Sequence, residues 1–181
     1  MRKLDIEELG RLNIDEYKSS EKLSVTVLLD DVRSLYNVGS VFRTSDAFRI
    51  ERIILCGITA TPENSLVEIH KTALGAEQTV SWHYEKKCLD AVRKLKEKGY
   101  TIVAVEQVEN STKLSDLIVD KKIKYALVFG NEVKGVNENV VNECDIALEI
   151  PQFGTKHSLN VSVSAGIVIW EFARQMIDTI N

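Results

Sequence analysis

The chain has 181 residues and a formal net charge of −4, a length close to one ordinary domain with apolar content sufficient for a core. No apolar run is long enough to span a bilayer, and the opening Met1-Arg2-Lys3-Leu4-Asp5 does not read as a secretory leader. Three scattered cysteines (Cys56, Cys88, Cys144) and the histidines His70, His83 and His157 lack disulfide or metal-ligand spacing, so a reducing cytoplasm and a metal-free protein are expected.

Taken in order, residues 4–12 read as a short helix on Leu4, Ile6, Leu9 and Leu12, and 24–29 as a buried strand. A helix is expected over 37–48, with Asn37 as its N-cap and Val41, Ala47 and Phe48 available to the core. A strand at 52–56 and a loop at 57–65 containing Pro62 follow, then a short helix at 66–73 that ends near Gly75, and a strand at 79–82. The clearest surface helix is 85–98, striped by Leu89, Val92 and Leu95 and stopped by Gly99. Strands at 101–105 and 125–129 flank a loop with a helical turn at 111–120. A short helix at 137–143, a strand at 146–150 and a long terminal helix from Leu159 complete the chain.

Strands alternating with helices predict an α/β domain, a mostly parallel sheet with helices on both faces. No repeat or linker argues for a second domain within 1–181. The first half of the terminal helix, residues 160–169, carries small or apolar residues on every face, which predicts burial all round, inside one subunit or at a subunit interface.

The positive charge is clumped although the net charge is negative. Arg2, Lys3, Arg11, Lys18 and Lys22 load the start, Lys86, Lys87, Arg93, Lys94, Lys96 and Lys98 crowd one segment, and Lys121, Lys122 and Lys124 another. Most of these read as solvated faces. The acidic balance itself lends no support to a nucleic-acid partner and does not exclude one.

Three segments carry the chemistry. Each follows a β-branched run, at the strand end where open α/β sheets bind their ligands. They are Asn37-Val38-Gly39-Ser40-Val41-Phe42-Arg43, Gly130-Asn131-Glu132-Val133-Lys134-Gly135, and Ile150-Pro151 running on to Ser158-Leu159-Asn160. The glycines of the second permit positive φ and close approach of a ligand to the backbone. Its spacing is neither that of a P-loop nor that of a dinucleotide-binding turn. Spacing alone favours a surface carboxylate for Glu132, while Ser158 reads as a helix N-cap and Arg43 as a surface arginine; Asn160, in the first helical turn, needs polar partners if buried.

Together the three segments resemble, in order, the three motifs of the SpoU/TrmH family of RNA ribose 2′-O-methyltransferases, within the SPOUT superfamily. Asn37, Gly39 and Arg43 match its Asn-x-Gly…Arg motif, Gly130, Asn131, Glu132 and Gly135 its Gly-Asn-Glu-x-x-Gly loop, and Ile150, Pro151, Ser158, Leu159 and Asn160 its Ile-Pro…Ser-Leu-Asn motif. Gln152-Phe153 departs from the pattern, standing where relatives often have a methionine after the proline.

The resemblance covers about residues 24–175 and leaves residues 1–20 as a short N-terminal extension. It implies a SPOUT fold with a deep trefoil knot at about 125–175, and a homodimer packed through the knot and the terminal helix. It implies S-adenosylmethionine as cofactor, held by Gly130, Asn131, Ile150, Pro151 and Leu159, largely through backbone atoms. It further implies RNA as substrate, with transfer RNA preferred to ribosomal RNA, and Arg43 as the central catalytic group supported by Asn37, Glu132, Ser158 and Asn160. The competing readings are a SPOUT enzyme that methylates a base nitrogen, a catalytically silent RNA-binding or assembly factor, and a small-molecule nucleotide-binding protein.

Overall fold

The computed structural model describes residues 1–180. Seven parallel strands form one sheet: β1 (Leu23–Asp30), β2 (Ile50–Cys56), β3 (Trp82–Glu85), β4 (Tyr100–Val105), β5 (Thr112–Lys113), β6 (Lys124–Phe129) and β7 (Ile146–Glu149). Their order across the sheet is β3-β2-β1-β6-β4-β7-β5. The helices are α1 (Ile14–Ser19), α2 (Leu35–Ala47), α3 (Pro62–Ala73), α4 (Ala76–Thr79), α5 (Cys88–Glu97), α6 (Glu138–Val141) and α7 (Val161–Met176), with 3₁₀ turns at Ile6–Leu9, Leu114–Asp116 and Ile177–Thr179.

Alternation along the central strands explains why their sequences are apolar without a break. Val25, Val27 and Leu29 of β1, with Tyr125, Leu127 and Phe129 of β6, face a core that includes Val38, Phe42, Ile69, Val168 and Phe172. Leu28, Ala126 and Val128 face the opposite way, against Ala91, Val92, Leu95 and Val140. Both faces are covered, as a parallel sheet requires. Each fully buried side chain of this size contributes about 1.5–3 kcal/mol of transfer free energy.

Several local expectations are corrected. Helix α2 begins two residues earlier than expected, and Ser34, not Asn37, is its N-cap, accepting from the Asn37 amide at 3.3 Å. Ala47 is exposed and Phe42 takes the core position. Pro62 stands at the first position of α3, where its missing N–H costs nothing, so the helix claims residues placed in the loop; a non-helical Ser65 kinks it. Thr79 closes α4, its hydroxyl bonded to Asp46 and to the Ala76 carbonyl, and this displaces β3 to Trp82–Glu85.

Helix α1 was not anticipated, although Asn13 and Glu16 form a reciprocal capping box that is legible as N-x-x-E. Helix α7 is buried on one side only: Ala165, Val168, Ile169 and Phe172 are inside, while Val163, Ile167 and Trp170 are 49%, 38% and 49% exposed. None of the described helices is long and apolar enough to cross a membrane.

Candidate functional site

The carboxyl ends of three adjacent strands, β6, β4 and β7, open into one cleft of about 520 Å³. Its walls come from Val105–Gln107 after β4, Phe129–Gly135 after β6, the Glu149–Ile150 end of β7, and residues 157–161 leading into α7.

The loop after β6 is built by close backbone approach. A Cβ on Gly130 would lie 2.0 Å from the Gly135 carbonyl carbon and 2.1 Å from the Val136 nitrogen, so only glycine fits. Gly135 has φ +68, and a Cβ there would meet the Glu106 carboxylate at 2.1 Å. The backbones of Asn131 and Gly135 exchange two hydrogen bonds, at 2.9 and 2.8 Å. Asn131 Oδ1 accepts from the Val133 and Lys134 amides, and its Nδ2 donates to the Asp31 carbonyl at 2.7 Å. Asn131 therefore shapes the loop with its side chain and lines the cleft through the rest of the residue.

Glu132 joins this loop to the start of α2. The Arg33 and Ser34 amides donate to its two carboxylate oxygens at 3.0 and 2.9 Å, and the Asn37 side-chain amide donates at 3.0 Å. Partial burial pushes the carboxyl pKa up, but these hydrogen bonds together outweigh it and hold the group below the ordinary carboxylate value. Glu132 is thus the exposed carboxylate that spacing alone favours, and it also clamps the β6 loop to the start of α2, with Asn37 (7% exposed) as its partner.

Ser158, Leu159 and Asn160 line the opposite wall. Asn160, not Ser158, caps α7: its Oδ1 accepts from the Ser162 amide at 2.9 Å and from the Ser162 hydroxyl at 2.7 Å. Seven of the ten expected site residues thus meet in one cleft: Gly130, Asn131, Glu132, Ile150, Ser158, Leu159 and Asn160. Asn37 joins through Glu132, and Pro151 borders an adjoining cleft. Arg43 does not join. It lies six residues beyond Asn37 along α2, about 9 Å of helix rise, on the exposed face that also carries Tyr36 and Ala47.

Three supporting carboxylates escaped the sequence reading. Glu106 accepts from the Gln107 and Val136 amides at 2.9 Å each, Asp30 from the Asn137 amide at 3.1 Å, and Asp31 from the Ile58 amide at 2.9 Å. An acidic residue just past or ending an apolar strand was the available cue, at Asp30-Asp31 after Leu29 and at Glu106 after Val105.

The basic segment on α5 is partly neutralised. Arg93 pairs with Glu143, Lys94 with Glu85 and Lys96 with Asp145, as fits a solvated helix face.

Chemically, the cleft offers apolar walls (Val105, Phe129, Leu148, Ile150 and Leu159), bare backbone at a glycine-built approach, and the carboxylates of Glu106, Glu132 and Glu149. Apolar side chains set among polar groups can hold a flat heteroaromatic ligand, and Glu149 adds negative charge for a cationic centre on it.

Residues 24–170 match the family model described as SpoU rRNA Methylase family. The tRNA (guanosine(18)-2′-O)-methyltransferase of Thermus thermophilus is 31% identical, the match covering 94% of this chain and 84% of that one. The 23S rRNA (guanosine-2′-O-)-methyltransferase RlmB of Neisseria meningitidis is 33% identical over 83% of this chain and 58% of that one. The AdoMet-bound rRNA methyltransferase from Sinorhizobium meliloti is similar in structure, with a TM-score of 0.77 at 29% identity, covering 90% of this chain and 60% of that one. The chain spans 63% of the length of the staphylococcal relatives it matches. With the glycine-built loop, the strand-end cleft and the ordered motifs all in place, the chain belongs to the SpoU rRNA Methylase family.

Proposed function

We propose that the protein is an S-adenosylmethionine-dependent methyltransferase that modifies a ribose 2′-hydroxyl of structured RNA. The observation that carries this reading is the single strand-end cleft that collects the second and third motifs around a glycine-built approach. Its volume falls in the range of about 300–1,000 Å³ usual for small-molecule sites. Bound there, S-adenosylmethionine would supply an electrophilic methyl group on a sulfonium cation. Gly130, Ile150 and Leu159 would hold it through backbone atoms and apolar contact, with Asn131 keeping the loop in shape and Pro151 turning the chain beside it.

A ribose hydroxyl is a weak nucleophile that has to be oriented and relieved of its proton. Arg43 is the group assigned to it. Guanidinium is protonated far above neutral pH, so Arg43 acts best as an orienting donor to the hydroxyl and the neighbouring phosphate. Glu132 and Asn37 fix the start of the helix that carries Arg43; Ser158 and Asn160 offer polar atoms across the cleft.

Since Arg43 stands outside the cleft on an exposed helix face, a second copy of the chain is the natural source of the missing group. The exposed apolar stripe of Val163, Ile167 and Trp170 on α7 supports a homodimer packed through the terminal helix. The trefoil knot over about 125–175 belongs to the same reading, supported by family membership. Transfer RNA is the preferred substrate because the match to the Thermus enzyme runs through most of both chains, and a cytoplasmic location follows from such a substrate.

Transfer of labelled methyl from S-adenosylmethionine to unmodified total RNA, followed by size separation and alkaline hydrolysis, tests the proposal. Ribose methylation blocks cleavage at its own linkage, so label is expected in alkali-resistant dinucleotides of the transfer RNA fraction. Label confined to mononucleotides would establish base methylation and overturn the ribose reading. Cofactor binding and RNA binding without transfer would indicate a silent assembly factor.

A further inference from the structure

Beside the cofactor cleft lies a second one, lined by Gln107, Glu109, Lys113, Gln152 and Phe153 among others. The two are contiguous: Gln107, Glu149, Ile150 and Gln152 line both. Phe153 is 97% exposed and forms no ring contact with another aromatic among the described residues. A ring on the lip of a cleft lined by both polar and apolar groups gains transfer free energy when a ligand covers it.

We propose that this second cleft receives an unstacked nucleobase of the substrate RNA, with Phe153 as the stacking platform. This rests on the proposed RNA methyltransferase activity and adds the place where RNA is read. Three observations favour a base. Unpaired bases are recognised in RNA by stacking on aromatic rings and by hydrogen bonds along their edges. Gln107 and Gln152 each carry a donor and an acceptor on one planar amide, the pairing a base edge needs. Finally, the cleft lies at the β5 edge of the sheet, where Thr112 and Lys113 are exposed and a polymer has access; Lys113 is its basic side chain, beside the carboxylates Glu109 and Glu149. The atypical Gln152-Phe153 pair after Pro151 thus becomes part of substrate selection.

The test compares Phe153→Ala and Phe153→Tyr with the unaltered full chain. Binding of unmodified total RNA is measured by filter retention without cofactor, and S-adenosylmethionine binding by calorimetry without RNA. Removing one base–aromatic stack is expected to weaken RNA binding about 5- to 150-fold, to leave cofactor affinity unchanged, and to be largely rescued by tyrosine. Because the RNA measurement needs no turnover, it judges this cleft even if the methyl-transfer assay fails, and failure of that assay alone tells against the activity. Unchanged RNA binding in Phe153→Ala, no RNA binding by the unaltered chain, or a loss of cofactor affinity with RNA binding intact would each overturn the proposal. The last would assign the second cleft to the cofactor.

Discussion

Between Gly130 and Gly135 the backbone is bonded to itself, Asn131 uses both ends of its amide, and Glu132 accepts three hydrogen bonds from the start of α2. Across the same cleft, residues 151–159 form no hydrogen bond among the described residues, and 153–159 are all exposed. One wall is preorganised by its own chemistry; the other has its polar groups still in water. The difference assigns the walls separate work. The first holds the loop after β6 and the start of α2 in place through its own hydrogen bonds, and the second, exposed and without such bonds, has the low local stability expected of such a segment.

The largest expected effect lies outside both walls. Arg43→Ala should lower methyl-transfer turnover about 10²–10⁴-fold, while stability and cofactor affinity stay near their starting values because the side chain is exposed and lies outside the cleft. Normal turnover would remove Arg43 from the chemistry. Glycine substitutions then set one wall against the other. Gly130→Ala must move backbone, and a cost of about 1–3 kcal/mol in urea unfolding is expected, with loss of cofactor binding. Gly154→Ala has nothing within 4 Å of the new Cβ and should stay within about 0.5 kcal/mol. Equal effects would erase the contrast.

Ile167→Arg places a charge on the exposed α7 stripe. If the chain is the proposed homodimer, light scattering should show it converted to a folded monomer with methyl transfer lost; an unchanged mass would move the interface elsewhere. The last comparison concerns the clamp. Glu132→Gln should destabilise by about 1 kcal/mol near neutral pH. The folded carboxyl pKa lies below its reference value of 4.5, so its contribution is complete above that value and is lost as pH falls through the folded pKa. Difference unfolding curves for the two proteins should therefore converge below pH 4.5; a constant difference down to the acid limit would mean that the charge is not what holds the two loops.

Much of the fold was legible because strand and helix periodicities are local. The strands at 24–29, 52–56, 101–105, 125–129 and 146–150 were found because both sheet faces are covered and apolar residues predominate along them. What failed was decided by partners remote in sequence. Thr79 reads as a strand residue, yet its hydroxyl meets Asp46 of α2. Asn37 is a good N-cap residue by type, but its side chain is committed to Glu132, and Ser34 caps instead. The terminal helix reads as buried all round, and one chain leaves Val163, Ile167 and Trp170 outside.

The amino-acid sequence by itself determined the α/β class and the three motif segments, since each follows from local pattern; that glycine is required at Gly130 and Gly135 follows from the contacts a Cβ there would make in the fold. Only the tertiary structure decided how those segments combine. It placed the second and third motifs around one cleft and tied Asn37 to that cleft through Glu132. It also set Arg43 on an outer helix face and opened a second cleft beneath Phe153. The physical reason is that a hydrogen bond between residues 34 and 132, or a cleft shared by β4, β6 and β7, depends on the order of strands across the sheet, which no local spacing encodes.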